Sequence, residues 1–80
     1  MPRVRLYSRP GCHLCDEARA TIQGVRRRRS FDFDEVDVST DDALELEYGI
    51  RIPVVLVDGV ERFELSVDAA ELEAAVAGAR

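Results

Sequence analysis

Cys12 and Cys15 stand three residues apart, directly after Pro10-Gly11 and at the start of a helix-patterned stretch. Soft sulfur ligands at this spacing support two chemistries, thiol–disulfide exchange and metal binding. A disulfide across one helical turn closes a loop too short to staple a fold, so it stores chemistry more than stability. At a helix N-terminus the first sulfur meets unsatisfied backbone N–H groups and the positive end of the helix dipole. Both favour thiolate over thiol and lower the expected pKa of Cys12. Asp16 and Glu17 repel a thiolate and limit that lowering to a moderate one. As an imidazolium, His13 would support the thiolate, while the same helix end disfavours its positive charge, so the two effects oppose each other.

Metal chemistry is less well supplied. Cys12, His13 and Cys15 give three soft ligands, whereas a structural zinc takes four, and the sequence holds no other Cys or His. Asp16 stands where the attachment histidine of a c-type haem motif would be. A metal or iron–sulfur site shared between two chains through Cys12, and a binding module without catalysis, stay open as alternatives.

The elements that must position the cysteines follow from patterning. Arg3 to Ser8 alternates as a short strand, and Cys15, Ala18, Ile22 and Val25 recur at three- and four-residue steps on one helix face. Phe31, Phe33, Val36 and Val38 mark a second strand whose alternation slips by one residue, consistent with a bulge or a late start. Ser39 reads as an N-cap before an acidic turn and a short helix ending at Gly49. Val54 to Val57 is a continuous apolar run suited to a strand covered on both faces, and Asp58-Gly59 is a hairpin signal leading to Val60–Leu65. Ser66 or Asp68 caps a last helix with Ala69, Leu72, Ala75 and Val76 as its apolar stripe. The order is β-α-β-α-β-β-α in one domain over residues 1–80.

Composition narrows the partners. Sixteen acidic residues against 11 arginines give a net charge of −5, which disfavours nucleic acid. Arg26-Arg27-Arg28-Arg29 is the one basic block; it falls where the first helix ends, so cations there meet the negative end of the dipole. No apolar run approaches the roughly 20 residues that span a bilayer, and Met1-Pro2-Arg3 leads straight into a strand. The expectation is a cytoplasmic monomer without membrane contact, in a reducing compartment where paired cysteines are more often catalytic than structural.

Leu6-Tyr7-Ser8-Arg9-Pro10-Gly11 before Cys12-His13-Leu14-Cys15, together with Tyr48-Gly49, Ile52-Pro53-Val54-Val55 and Asp58-Gly59, resembles glutaredoxin-like proteins over nearly the whole chain. The resemblance implies an α/β thioredoxin-like fold, a four-stranded mixed sheet flanked by helices on both faces. It also implies a cis bond at Ile52-Pro53 beside the cysteines, leaving the Ile52 backbone open to an extended substrate. It implies a thiol–disulfide oxidoreductase with Cys12 as nucleophile and Cys15 as resolving thiol, acting on protein or low-molecular-weight disulfides. Tyr7, Arg9 and His13 are then expected around the entry, with Arg9 near a glutathione carboxylate and Asp68 near an α-amino group.

No cofactor is implied beyond glutathione or another small thiol as reductant. One departure matters: glutathione-using glutaredoxins carry a Gly-Gly pair where this chain has Phe63-Glu64-Leu65-Ser66-Val67-Asp68. Side chains there crowd the approach of glutathione, so thioredoxin reductase or a different small thiol is the competing donor.

Overall fold

In the computed structural model, which describes residues 1–78, the alternation of β1 (Arg3–Ser8) divides the core into two layers. Val4 and Leu6 point to one face of the sheet and Tyr7 to the other, and all three are buried. β1 lies inside a four-stranded sheet of order β2-β1-β3-β4, parallel to β2 (Asp32–Asp37) and antiparallel to β3 (Val54–Val57), which pairs with β4 (Val60–Glu64). The carboxyl ends of the parallel pair β1 and β2 form the edge at which ligands ordinarily meet such a sheet.

Helix α1 (His13–Arg26) packs Cys15, Ala18, Ile22 and Val25 inward, the face expected from their spacing. With Leu72 and Val76 of α3 (Ala69–Gly78) they cover Val4, Leu6, Phe31, Val55 and Val57. The opposite face of the sheet buries Tyr7, Val38 and Val54, with Leu44 and Tyr48 of α2 (Asp42–Tyr48) packed against them. β3 therefore has helices over both faces, as its unbroken apolar run requires. The mixed sheet flanked on both sides confirms the expected fold class.

Four local features differ from the sequence reading or refine it. β2 pairs with β1 in continuous register, without a bulge. Its apparent slip arises because Phe31 and Phe33 belong to the α1–α3 layer while Val36 and Val38 belong to the α2 layer. The register shift lies in β4 instead, where Val55 faces Phe63 and Leu56 faces Glu61. The N-cap of α2 is Asp41, whose carboxylate accepts from the N–H groups of Ala43 and Leu44, rather than Ser39. Ser39 sits in a single 3-10 turn capped by Asp37, which inserts one extra turn between strand and helix. Gly49 ends α2 with a right-handed φ of −53°; glycine is required there because a Cβ would overlap the Glu45 carbonyl oxygen.

The Asp58-Gly59 hairpin has the positive φ values, 50° and 81°, that this dipeptide favours. Asp58 also accepts from the Arg3 N–H through its carboxylate and donates its own N–H to the Arg3 carbonyl, both near 2.9 Å. The arginine block is divided. Arg26 closes α1 by donating to the Phe31 carbonyl, and Arg28 and Arg29 both reach Glu73 of α3. Exposed pairs of this kind are screened by solvent and add little to stability.

Leu65 adopts φ 71° just after β4, a left-handed conformation costing an L-residue roughly 1–2 kcal/mol. Its N–H donates to the Pro53 carbonyl at 2.8 Å, which holds it there. Leu65→Gly is therefore expected to be at least as stable as wild type, and Leu65→Val about 1–2 kcal/mol less stable, since β-branched residues tolerate this region worst. Denaturant midpoints in the order Gly, Leu, Val test the strain; Val equal to Leu contradicts it.

Candidate active site

β1 delivers the chain to the site through Arg9-Pro10-Gly11, and Gly11 takes the φ of 78° that the turn into α1 demands. Cys12 is the N-cap of α1, extended in backbone and partly exposed, and Cys15 one turn further is fully buried. The two form a disulfide with Cα atoms 5.2 Å apart. The Cys15 N–H points at Cys12 Sγ, 3.1 Å away. This is one of the orphan N–H groups of the helix end, and a thiolate on Cys12 would accept from it. The helix therefore begins just after the first cysteine, with its sulfur in the capping position.

Ile52-Pro53 is cis, as the glutaredoxin-like resemblance implies, and Pro53 is buried. The turn is tied to the segment after β4 by the Leu65 N–H, which reaches Arg51 O at 3.3 Å as well as Pro53 O. Ile52 packs against the α2 layer. Tyr7, expected at the entry, is instead a core residue with 7 % exposure, stacked on Tyr48 with ring centroids 4.2 Å apart. Strand alternation turns Tyr7 toward Leu44 and Tyr48 of α2, which removes it from the surface. Burial raises the Tyr48 hydroxyl above its ordinary pKa.

Arg9 is half-buried, and its guanidinium pairs with Glu45 and donates to Gly49 O at 3.2 Å, so its charge is directed at α2. His13 projects outward and lies 3.1 Å from Glu17. Asp68 accepts from the Glu71 N–H at 2.9 Å and caps α3, one of the two capping residues expected there. Among the described residues no three His, Cys, Asp or Glu side chains converge into a metal-binding group.

A polar chain that sequence periodicity does not reveal braces the turn carrying Cys12. The buried Ser8 hydroxyl, at the end of β1, donates to Glu35 at 2.6 Å. Glu35 accepts two hydrogen bonds from Arg19, which also holds Asp16 at 2.9 Å. Glu35 of β2 is thus linked to residues on both sides of Cys12. These groups line a cavity of about 370 Å3 together with Pro10, Gly11 and Asp37.

Arg19 holds the Glu35 carboxyl below its ordinary range; Ser8 adds to this and partial burial opposes it. A carboxylate depressed on folding contributes stability above its unfolded pKa of about 4.3 and loses it as pH falls through the folded value. Glu35→Gln is therefore expected to lower the melting temperature at neutral pH, with the gap to wild type narrowing below about pH 4. A gap that stays constant down to acid pH contradicts the ion pair.

A parallel β1-β2 pair, an antiparallel β3-β4 hairpin, a cis-proline turn and a Cys-x-x-C disulfide at the head of α1 define a thioredoxin-fold protein with a glutaredoxin-like Cys-x-x-C motif. The chain belongs to the family described as glutaredoxin-like domain (DUF836), whose model matches residues 3–77. It is 33 % identical over 81 residues to the uncharacterized protein Rv0508 of Mycobacterium tuberculosis, a match covering 95 % of this chain and 84 % of that protein. The X-ray structure of target protein XcR50 from X. campestris is 34 % identical, with a TM-score of 0.79 over 96 % of this chain and 99 % of that one. A thioredoxin from Halobacterium salinarum shares the fold at 19 % identity, with a TM-score of 0.69 over 94 % of this chain and 71 % of its own.

Proposed function

We propose that this protein is a cytoplasmic thiol–disulfide oxidoreductase that reduces protein or low-molecular-weight disulfides through Cys12 and Cys15. The observation that carries this reading is the asymmetry of the pair: Cys12 is accessible at the helix cap, and Cys15 is buried behind it within bonding reach. In the reduced protein the Cys12 thiolate attacks one sulfur of the substrate disulfide, and the other sulfur leaves as a thiolate and takes a proton. Cys15 then loses its proton and attacks Cys12 Sγ, the substrate's second sulfur departs as a thiol, and the protein is left oxidised by two electrons. The cis bond at Ile52-Pro53 supports the reading, since a turn of this kind leaves the Ile52 backbone for an extended substrate.

Two features bear on the donor that restores the dithiol. Phe63-Glu64-Leu65-Ser66-Val67-Asp68 stands in place of the Gly-Gly pair of glutathione-using glutaredoxins, with the Leu65 side chain half-exposed, and Arg9, the expected carboxylate ligand, is engaged with Glu45. Both features favour thioredoxin reductase or a small thiol other than glutathione. The test compares turnover of hydroxyethyl disulfide with glutathione plus glutathione reductase against turnover with thioredoxin reductase. Faster cycling in the second system supports this reading, and saturating, faster turnover with glutathione overturns the assignment of the donor.

A further inference from the structure

Three carboxylates meet on the cavity behind the Cys12 turn: Asp16 of α1 with Glu35 and Asp37 of β2 line it beside Pro10 and Gly11. Unpaired, they would oppose a thiolate, because like charges disfavour the charged form of a neighbouring group. Asp16 stands one turn along from Cys12 and donates its N–H to the Cys12 carbonyl at 3.1 Å. Its carboxylate therefore shares the helix end that supports the sulfur. Glu35 is fixed to the end of β1 by the Ser8 hydroxyl.

One side chain answers two of these anions. Arg19 donates to both oxygens of Glu35, at 2.7 and 2.5 Å, and to Asp16 at 2.9 Å. Asp37 accepts from the Ser39 N–H and hydroxyl. The remaining charges around the turn are directed elsewhere: Arg9, also on the cavity, pairs with Glu45, His13 lies against Glu17, and Arg51 pairs with Glu61. Among the described residues, Arg19 is thus the cation that faces the carboxylates of the cavity itself.

We propose that Arg19 is a positioning residue for the dithiol reaction: by holding Asp16 and Glu35 it offsets their charge at the turn and keeps the Cys12 sulfur available as thiolate. The inference rests on the dithiol reading above and adds the group that makes its nucleophile reactive near neutral pH. Charge and mechanical bracing predict different signs. If charge is what matters, loss of Arg19 and loss of a carboxylate move Cys12 in opposite directions, whereas a purely mechanical brace weakens the site whichever member is removed.

The measurement is the rate at which excess iodoacetamide alkylates Cys12 in the reduced protein from about pH 4 to about pH 9.5, with the adduct located by peptide mapping. The Cys12 sulfur displaces iodide, and the thiolate is the reacting form. Arg19→Gln is expected to slow alkylation about fivefold near pH 6 and to match wild type above about pH 9, where the thiolate is fully formed in both. Arg19→Lys should recover most of the rate. Asp16→Asn and Glu35→Gln should each speed the reaction about twofold near pH 6; Asp16 is exposed, so its variant tests the sign independently of folding. His13 titrates alike in every variant. Arg28→Gln, which removes a cation paired with Glu73 of α3, should leave the profile in place. Slowing by one factor at every pH, slowing in Asp16→Asn as well, or an unchanged profile in Arg19→Gln overturns the role of Arg19 while alkylation of Cys12 continues. The dithiol reading falls separately, when Cys12→Ser reduces hydroxyethyl disulfide as fast as wild type.

Discussion

Cys12→Ser is expected to lower turnover of hydroxyethyl disulfide by at least about 10³-fold, because a serine hydroxyl at neutral pH supplies neither a thiolate nor a sulfur to bond. The loss should occur without loss of fold. Cys12 caps α1, and serine is a strong capping residue that can accept the Cys15 N–H in place of the sulfur. Cys15→Ser should behave differently. With the nucleophile intact and the resolving thiol absent, protein substrates should stall as mixed disulfides on Cys12, visible as a mass adduct that a reductant removes. Full activity in Cys12→Ser, or an adduct that persists when Cys12 is replaced, contradicts the assigned roles. Equal losses in both variants without an adduct indicate that attack and resolution are not divided as burial suggests.

Phe31→Ala is expected to have the largest effect on stability. Phe31 is 2 % exposed and belongs to the cluster formed by α1, α3 and the sheet, with the Arg26 guanidinium 5.9 Å from its ring centroid. Truncating a buried phenylalanine costs about 3–5 kcal/mol through lost transfer free energy and the cavity left behind. A chain of this length is stable by only about 4–12 kcal/mol, so the change removes a large share. The melting temperature should fall by roughly 12–40 °C. Phe33, only partly buried against the same cluster, should tolerate alanine better. A fall of only a few degrees for Phe31→Ala means that the cluster does not depend on this ring.

These residues also show where sequence reasoning succeeds and where it stops. The buried face of α1 is legible because helical spacing is local: Cys15, Ala18, Ile22 and Val25 announce one face wherever the helix packs. In α3 the stripe holds at Leu72, Ala75 and Val76, while Ala69, in the first turn, stays exposed. The Asp58-Gly59 turn was legible for the same reason, as its conformation depends on two adjacent residues. Phe31 through Val38 was harder, because its apolar residues change layer midway and the layers exist only after the sheet has formed. The neighbours of Tyr7 in sequence are site residues and suggest the entry for it, while strand alternation turns it into the core against α2.

At the site, the cysteine pair and the Ile52-Pro53 turn stood out as motifs. The brace from Ser8 through Glu35 to Arg19 and Asp16 did not, since it joins residues of β1, β2 and α1 by side-chain geometry alone. Arg9 likewise finds Glu45 only when α2 folds against the turn.

The measurement closest to the central claim is a thiol count before and after one turnover. Pre-reduced protein carries two thiols, and one equivalent of hydroxyethyl disulfide should consume both, yielding two equivalents of small thiol and a Cys12–Cys15 disulfide identified by peptide mapping. Retention of both thiols, or a stable adduct on one cysteine with the other free, contradicts dithiol exchange as the chemistry of this site.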